Sequence, residues 1–166
     1  DVVVDVRSQP SSRFTPHFSG EQLRRALGLT RMRYLFLGRE LGGRPADTSI
    51  YDEEGYVRYD RLAASPAFRA GVERLLDGIQ RYRVAILCSE EDPISCHRRR
   101  LIGRALASED VVMRHLRQRA ETESESDVAI REALEFPERF QLTWDEPVPW
   151  RSIHPVADRV PARIRS

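Results

Sequence analysis

The sequence predicts an α/β fold: a single domain on an open, mainly parallel sheet with helices on both faces, followed by an irregular C-terminal tail. Three observations lead there. Residues 2–6 (VVVDV) and 84–88 (VAILC) are short, mostly apolar runs rich in β-branched residues, the pattern of strands buried on both faces. Helical patterns alternate with such runs along the first two thirds of the chain, which is the order of a parallel, doubly wound sheet. A length of 166 residues suits one domain with a proper core, or one domain and a tail.

Each element follows from local chemistry. The first strand gives way to a loop rich in serine and proline, "SQPSSRFTPH". A helix should then start at Ser19, an N-cap with Gln22 as its capping-box partner and Phe18 stapled to Leu23, and end at Gly28. Residues 32–38 (MRYLFLG) form a second strand. The long glycine-rich stretch after it is loop, and loops of that length are often functional. Ser65 and Pro66 open the next helix as N-cap and first residue. Its apolar face carries Phe68, Val72, Leu75, Leu76 and Ile79, with Leu75, Leu76 and Ile79 expected to be buried against the sheet beside Ile86. After the third strand, at residues 84–88, a helix starts at Asp92-Pro93 or at Ser95 and buries Ile94, Leu101, Ile102 and Ala105. Residues 111–116 (VVMRHL) read as a fourth strand of the same sheet. Residues 1–120 make up the domain. Residues 121–166 are a charged, weakly structured segment with one short helix near residues 128–134. A proline-rich extension follows, with Trp144 and Trp150 as anchors.

Composition excludes several chemistries. Every basic residue outside histidine is arginine, so neither Schiff-base lysine chemistry nor a Walker-type phosphate lysine is available. Two cysteines do not make a secreted disulfide framework. No apolar run approaches the roughly 18 residues a membrane span needs. The expectation is a cytoplasmic protein with no membrane partner.

In open parallel sheets, ligands bind outside the carboxyl ends of the strands. The first strand brings Asp5 and Arg7 to that edge, with Arg13 on the loop beyond. The second brings Arg39 and Glu40, then Gly42 and Gly43. The third brings Cys88, followed by Cys96, His97 and Arg98, and the fourth brings His115. Cys96, in the first turn of a helix and beside Arg98, has the surroundings that favour a thiolate. Cys88, Cys96, His97 and Asp5 are therefore the candidate catalytic residues. Arg7, Arg13, Arg98, Gly42, Gly43 and His115 are the candidate substrate-binding residues. Gly42 and Gly43 are most simply turn residues with positive φ, or else points where backbone approaches a ligand closely. Two thiolates and His97, with Asp5 or His115, could hold zinc, but the spacing matches no short zinc pattern and no metal is assigned. A reversible Cys88–Cys96 disulfide stays open. The acids of "SEEDPIS" argue against a phosphate cradle, and Asp92 is expected to cap the helix that follows.

The segments "DVRSQPSSRF", "YLFLGRELGG", "LCSEEDPISCHRRRLIGRAL" and "VVMRHL", in that order, resemble the domain-of-unknown-function family numbered 488, over roughly residues 1–116. The resemblance implies the fold and the site's location, but no activity and no cofactor. Members usually begin with one more strand carrying Gly-His-Ser, so the resemblance implies that this chain starts after it. The plan also looks, more loosely, like that of rhodanese-type sulfurtransferases and cysteine phosphatases, from which the long acidic gap between Cys88 and Arg98 departs. Two functions compete, ahead of a third, a non-catalytic interaction module. One is a cysteine-centred enzyme, by thiol nucleophile or redox chemistry, acting on an anionic small molecule. The other is a nucleotide- or nucleic-acid-binding domain whose arginines (Arg31, Arg33, Arg98, Arg99, Arg100 and Arg104) grip phosphates while the cysteines are structural.

Overall fold

The structure is a computed structural model and describes residues 1–11, 13–140 and 149–156. Strands β1 (Val2–Asp5), β2 (Arg33–Phe36) and β3 (Val84–Leu87) form a parallel sheet in the order β2-β1-β3. Asp5 lies level with Phe36 on one side and Leu87 on the other. Backbone pairing runs one step further, with the Val6 amide donating to the Leu87 carbonyl at 3.0 Å and the Leu37 amide to the Asp5 carbonyl at 2.9 Å. The central strand is the most buried, with Val2, Val4 and Asp5 of β1 and Val6 just after it all buried.

Helix α1 (Gly20–Gly28) joins β1 to β2, with Ser19 at its N-cap in extended backbone. Helices α2 (Tyr59–Ala64) and α3 (Pro66–Ile79) lie between β2 and β3. The start of α3 is as the sequence predicts: Ser65 Oγ accepts the Phe68 amide at 3.3 Å and Pro66 fills the first turn. Phe68 and Leu75 are fully buried in a core shared with Leu37, Leu41, Leu101 and Ile102. Leu76, Ile79 and Ile86 are only half-buried at its margin, so the buried face of α3 is narrower than expected.

Three expectations are corrected. The helix after β3 does not begin at Asp92 or Ser95. Residues 93–95 form a turn, and the helical stretch Arg98–Gly103 follows with π-type bonding, the Arg104 amide reaching the Arg99 carbonyl. Residues 111–116 do not add a fourth strand to the sheet. Val112 points to solvent, and only Arg114–Leu116 (β4) pairs, antiparallel, with Thr122–Ser124 (β5) in a separate ribbon. The charged segment is more ordered than its composition suggests. Ser124 and Asp127 form a reciprocal capping box that starts α4 (Glu125–Glu135). Helix α4 is tied to the π-type turn through Glu132, which accepts from Arg99 Nη1 at 2.5 Å and Arg100 Nη1 at 2.6 Å. Trp150 anchors residues 149–156, its indole N–H donating to the Arg100 carbonyl at 2.7 Å, while Trp144 lies outside the described residues. Among the described residues no helix is long and apolar enough to cross a membrane.

Candidate functional site

Strand order decides where the site lies. The chain leaves β1 toward β2 on one side and returns to β3 on the other, so the connections diverge between the carboxyl ends of β1 and β3. Such a topological switch point is where open α/β sheets leave a crevice. Val6 and Arg7 follow β1 there, and Cys88 follows β3.

Four ligand-type side chains converge at this point. Cys88, Glu90, Cys96 and His97 each offer an atom within 4.8 Å of the others'. The Cys88 thiol meets the Glu90 carboxylate and lies 3.4 Å from His97 Nδ1. Cys96 Sγ is 3.5 Å from Glu90 Oε2. His97 Nε2 lies 3.2 Å from the Val6 carbonyl, which can only accept, so Nε2 carries a proton. In the neutral ring the Nδ1 lone pair then faces Cys88. The ring packs closely on the loop after β2: a Cβ on Gly43 would sit 2.7 Å from His97 Cγ. Gly42 packs equally closely on the Gly38 carbonyl and Ser8. Neither glycine has positive φ; among the described glycines only Gly55 does, so close backbone approach is what requires glycine at both.

Cys96 stands immediately before the helical stretch. Its sulfur is 3.4 Å from the Arg98 amide and 3.0 Å from Arg98 Nε, both of which donate to it. Arg98 Nη2 also binds the Glu90 carbonyl at 2.7 Å, closing the loop over the sulfur. The Cys96 thiol is brought down to about 5 by hydrogen bonding from Cys88, opposed by burial and helped by His97 and the Arg98 charge. Cys88 moves the other way, pushed up by its bond to Cys96, by burial, and by the negative charges of Cys96 and Glu90. Burial raises the Glu90 carboxyl, but the Cys88 hydrogen bond and the His97 charge outweigh it and leave it below its ordinary value. Exposure also separates the two sulfurs: Cys96 is 0 % exposed, whereas Cys88 is half-buried.

The other predicted residues are placed differently. Asp5, fully buried, accepts Arg7 Nε at 2.9 Å, Arg7 Nη2 at 2.6 Å, the Arg7 amide at 3.1 Å and the Tyr34 hydroxyl at 2.8 Å. Burial and the hydrogen bond to Asp5 push the Tyr34 phenol up to about 12, so it stays a donor. Arg7 thus spends its bidentate face on Asp5 and is itself buried. Arg13 is exposed on the loop before α1. His115 is not at the sheet edge: it lies on β4, buried, with Nε2 2.9 Å from Glu125. Arg99 and Arg100, candidates for a basic surface, are ion-paired to Glu125 and Glu132.

Sequence reasoning missed Glu90, one of three consecutive acids. The other two are engaged elsewhere: Glu91 takes Arg117 Nε at 2.8 Å and Nη2 at 3.0 Å, and Asp92 takes Arg131 Nη2 at 2.9 Å and Nη1 at 3.1 Å. Asp92 also receives the Ile94 amide at 3.0 Å, capping a turn rather than the helix. The available signal was spacing, since Glu90 stands two residues after the strand-end cysteine.

Residues 1–105 match the family model described as "Domain of unknown function DUF488". No curated protein and no solved structure matches the chain.

Proposed function

The chain belongs to the DUF488 family, whose name carries no activity, and from that premise we propose that it is a thiol-dependent enzyme acting on a small molecule that bears negative charge. Cys88 is the reacting sulfur, because it is the one solvent can reach. Its proton passes to the buried Cys96 thiolate, which carries the negative charge from beside Arg98 to the mouth of the crevice, or to His97 Nδ1, which leaves an imidazolium beside the new thiolate. Asp5 acts at a distance, by fixing Arg7 under the edge of the sheet. Arg39 and Arg44, exposed on the loop that carries Gly43, and Arg13 on the loop after β1, supply the positive charge for an anion, since Arg7 and Arg98 are committed elsewhere.

One observation carries this reading: a reachable thiol and a buried, arginine-stabilised sulfur share one imidazole at the switch-point edge. Perturbed groups gathered in a crevice are the usual mark of a reaction centre. The competing reading, arginines gripping phosphates, has less behind it, since Arg99 and Arg100 are held by glutamates.

The test is iodoacetamide labelling of reduced, chelator-treated protein at pH 6, mapped by mass spectrometry. At this pH an ordinary thiol, with pKa of about 8.5, is almost wholly protonated. Cys96 has lost its proton by this pH, at about 5, so the two sulfurs share one thiolate. With roughly 3 % of it on Cys88, against about 0.3 % ionisation of an ordinary thiol, Cys88 should label at least about tenfold faster than in the urea-unfolded chain. Cys96 should stay unlabelled, and Cys96→Ala should slow Cys88. Equal rates for Cys88 in the wild type, in Cys96→Ala and in the unfolded chain would refute the proposal.

A further inference from the structure

The four side chains at this edge are also the donor set of a tetrahedral cation site. We propose that Cys88, Glu90, Cys96 and His97 bind one zinc-type divalent cation, and that its occupancy withdraws both sulfurs from thiol chemistry. The first half stands on coordination geometry alone. The second rests on the thiol reading of the same site.

Zinc bound by two thiolates, an imidazole and a carboxylate has bonds of about 2.0–2.3 Å, which puts neighbouring ligand atoms about 3.3–3.8 Å apart. The Cys88 Sγ to His97 Nδ1 and Cys96 Sγ to Glu90 Oε2 separations, 3.4 and 3.5 Å, already fall in that range. His97 Nδ1 to Glu90 Oε2, at 4.0 Å, is just beyond it. The Cys88–Glu90 contact is tighter and must open, because a shared proton occupies the place a cation would take. Glu90 can supply that movement, since its side chain is 44 % exposed while His97 is buried.

Two features outside the four ligands point the same way. A metal-binding histidine almost always gives its second ring N–H to a carbonyl or carboxylate, which fixes the tautomer and aims the lone pair at the metal. His97 does this through Nε2 and the Val6 carbonyl at 3.2 Å. Two thiolates and a carboxylate around a divalent cation also leave one negative charge over. Arg98 compensates it, donating Nε to Cys96 Sγ at 3.0 Å. With all four positions filled by protein, no coordination site is left for a substrate, which is the closed arrangement of non-catalytic zinc. Binding releases the Cys88 proton to solvent, so the cation replaces the proton that the apo cluster shares. The occupied form is therefore a resting state.

Cobalt(II) titrated anaerobically into the reduced, chelator-treated full chain tests the site without needing a substrate. One equivalent should give the intense visible bands of tetrahedral cobalt and a thiolate-to-cobalt charge-transfer band, both displaced by zinc. Cys88→Ser and Cys96→Ser should each weaken the charge-transfer band. Glu90→Gln, at the most exposed ligand and the variant safest for folding, should lower zinc affinity by at least the roughly 10–100-fold lost when an outer partner of a metal ligand is removed. A weak octahedral spectrum with no charge-transfer band, or zinc affinity unchanged in both Glu90→Gln and Cys96→Ser, overturns the site. For the second half, one equivalent of zinc should suppress Cys88 labelling and chelator should restore it; labelling unaffected by bound zinc overturns the masking. The two readings fail separately. Fast labelling of the metal-free protein without a cobalt spectrum removes the cation site alone, and a cobalt spectrum with ordinary thiol rates removes the thiol reading alone.

Discussion

Removing the Asp5 carboxylate should cost more than any single bond it makes, because it strands a buried cation. Asp5 is fully buried and accepts four hydrogen bonds, three from Arg7 and one from the Tyr34 hydroxyl. Arg7 is only 8 % exposed, so water cannot replace the lost partner. Breaking a buried ion pair by deleting one member costs about 3–5 kcal/mol, and that range applies to Asp5→Ala with little discount. Arg7→Met removes the cation and leaves Asp5 with the Tyr34 hydroxyl and the backbone amide of residue 7, so it should also destabilise, though its long apolar stem keeps the packing. The double variant is the decisive one. With both charges gone, it should lie roughly 1–3 kcal/mol above the sum of the single losses in stability, the coupling expected of contacting partners. Urea melts of all four proteins, read as midpoint and slope, measure this cycle. Losses that add without coupling would refute the pairing and return Arg7 to the pool of residues free to hold a substrate.

Other outcomes follow from contacts around the same edge. Gly43→Ala puts a methyl 2.7 Å from His97 Cγ; overpacking of this kind costs about 1–3 kcal/mol. It should also tilt the imidazole away from Cys88, so Cys88 labelling at pH 6 should slow while the fold, checked by circular dichroism, persists. Leu75→Ala should destabilise by about 2–5 kcal/mol, as a fully buried leucine does. Leu116→Ala, at a side chain 64 % exposed, should stay within roughly 0.5 kcal/mol in the same urea melts. Burial raises the Glu132 carboxyl, but its bonds to Arg99 and Arg100 outweigh that and set it below its ordinary value. Its contribution is then full above the unfolded value of about 4.3 and is lost as the pH falls through the lower folded value. The penalty of Glu132→Gln at pH 7 should therefore shrink toward zero in melts below about pH 4. A penalty independent of pH would show that charge is not what Glu132 contributes.

What was legible in the sequence is what short-range patterns encode. The apolar runs at β1 and β3 and the Ser65-Pro66 start of α3 follow from burial and capping, and adjacency of β1 and β3 then brings Cys88 beside the residues after Asp5. The illegible part depends on partners distant in sequence. Residues 111–113 have the apolar character of a strand, yet Val112 is exposed. The chain turns back through Arg119 and Ala120, both with φ of 60°, so β4 pairs with β5 instead of the main sheet. The capping box of α4 was present in "SESD" and was obscured by the surrounding charge. Arg7 and Arg98 look equally available in sequence; only Asp5 and Cys96, where they end, reveal that both are committed. Cys96 carried the signal for a thiolate but not for its own burial, and that burial is why the reacting role is proposed for Cys88 instead.

The same reasoning gives the segment beyond the family match a part in the site. Glu91 and Asp92 are each held by two bonds from one arginine, Arg117 and Arg131, and both arginines also meet Glu123. Partly exposed pairs such as these contribute at most about 1 kcal/mol each, so their value is not mainly stability. Their effect is positional. With the two acids after Glu90 drawn toward β5 and α4, and the Glu90 carbonyl held by Arg98, the loop is held at Glu90 and just after it, and its carboxylate is left facing the two sulfurs. The matched region stops at residue 105, yet both arginines that hold the loop lie after it. The cysteine cluster therefore takes its ligand-type residues from the matched region, while the loop that carries its one carboxylate is held partly by the segment that follows.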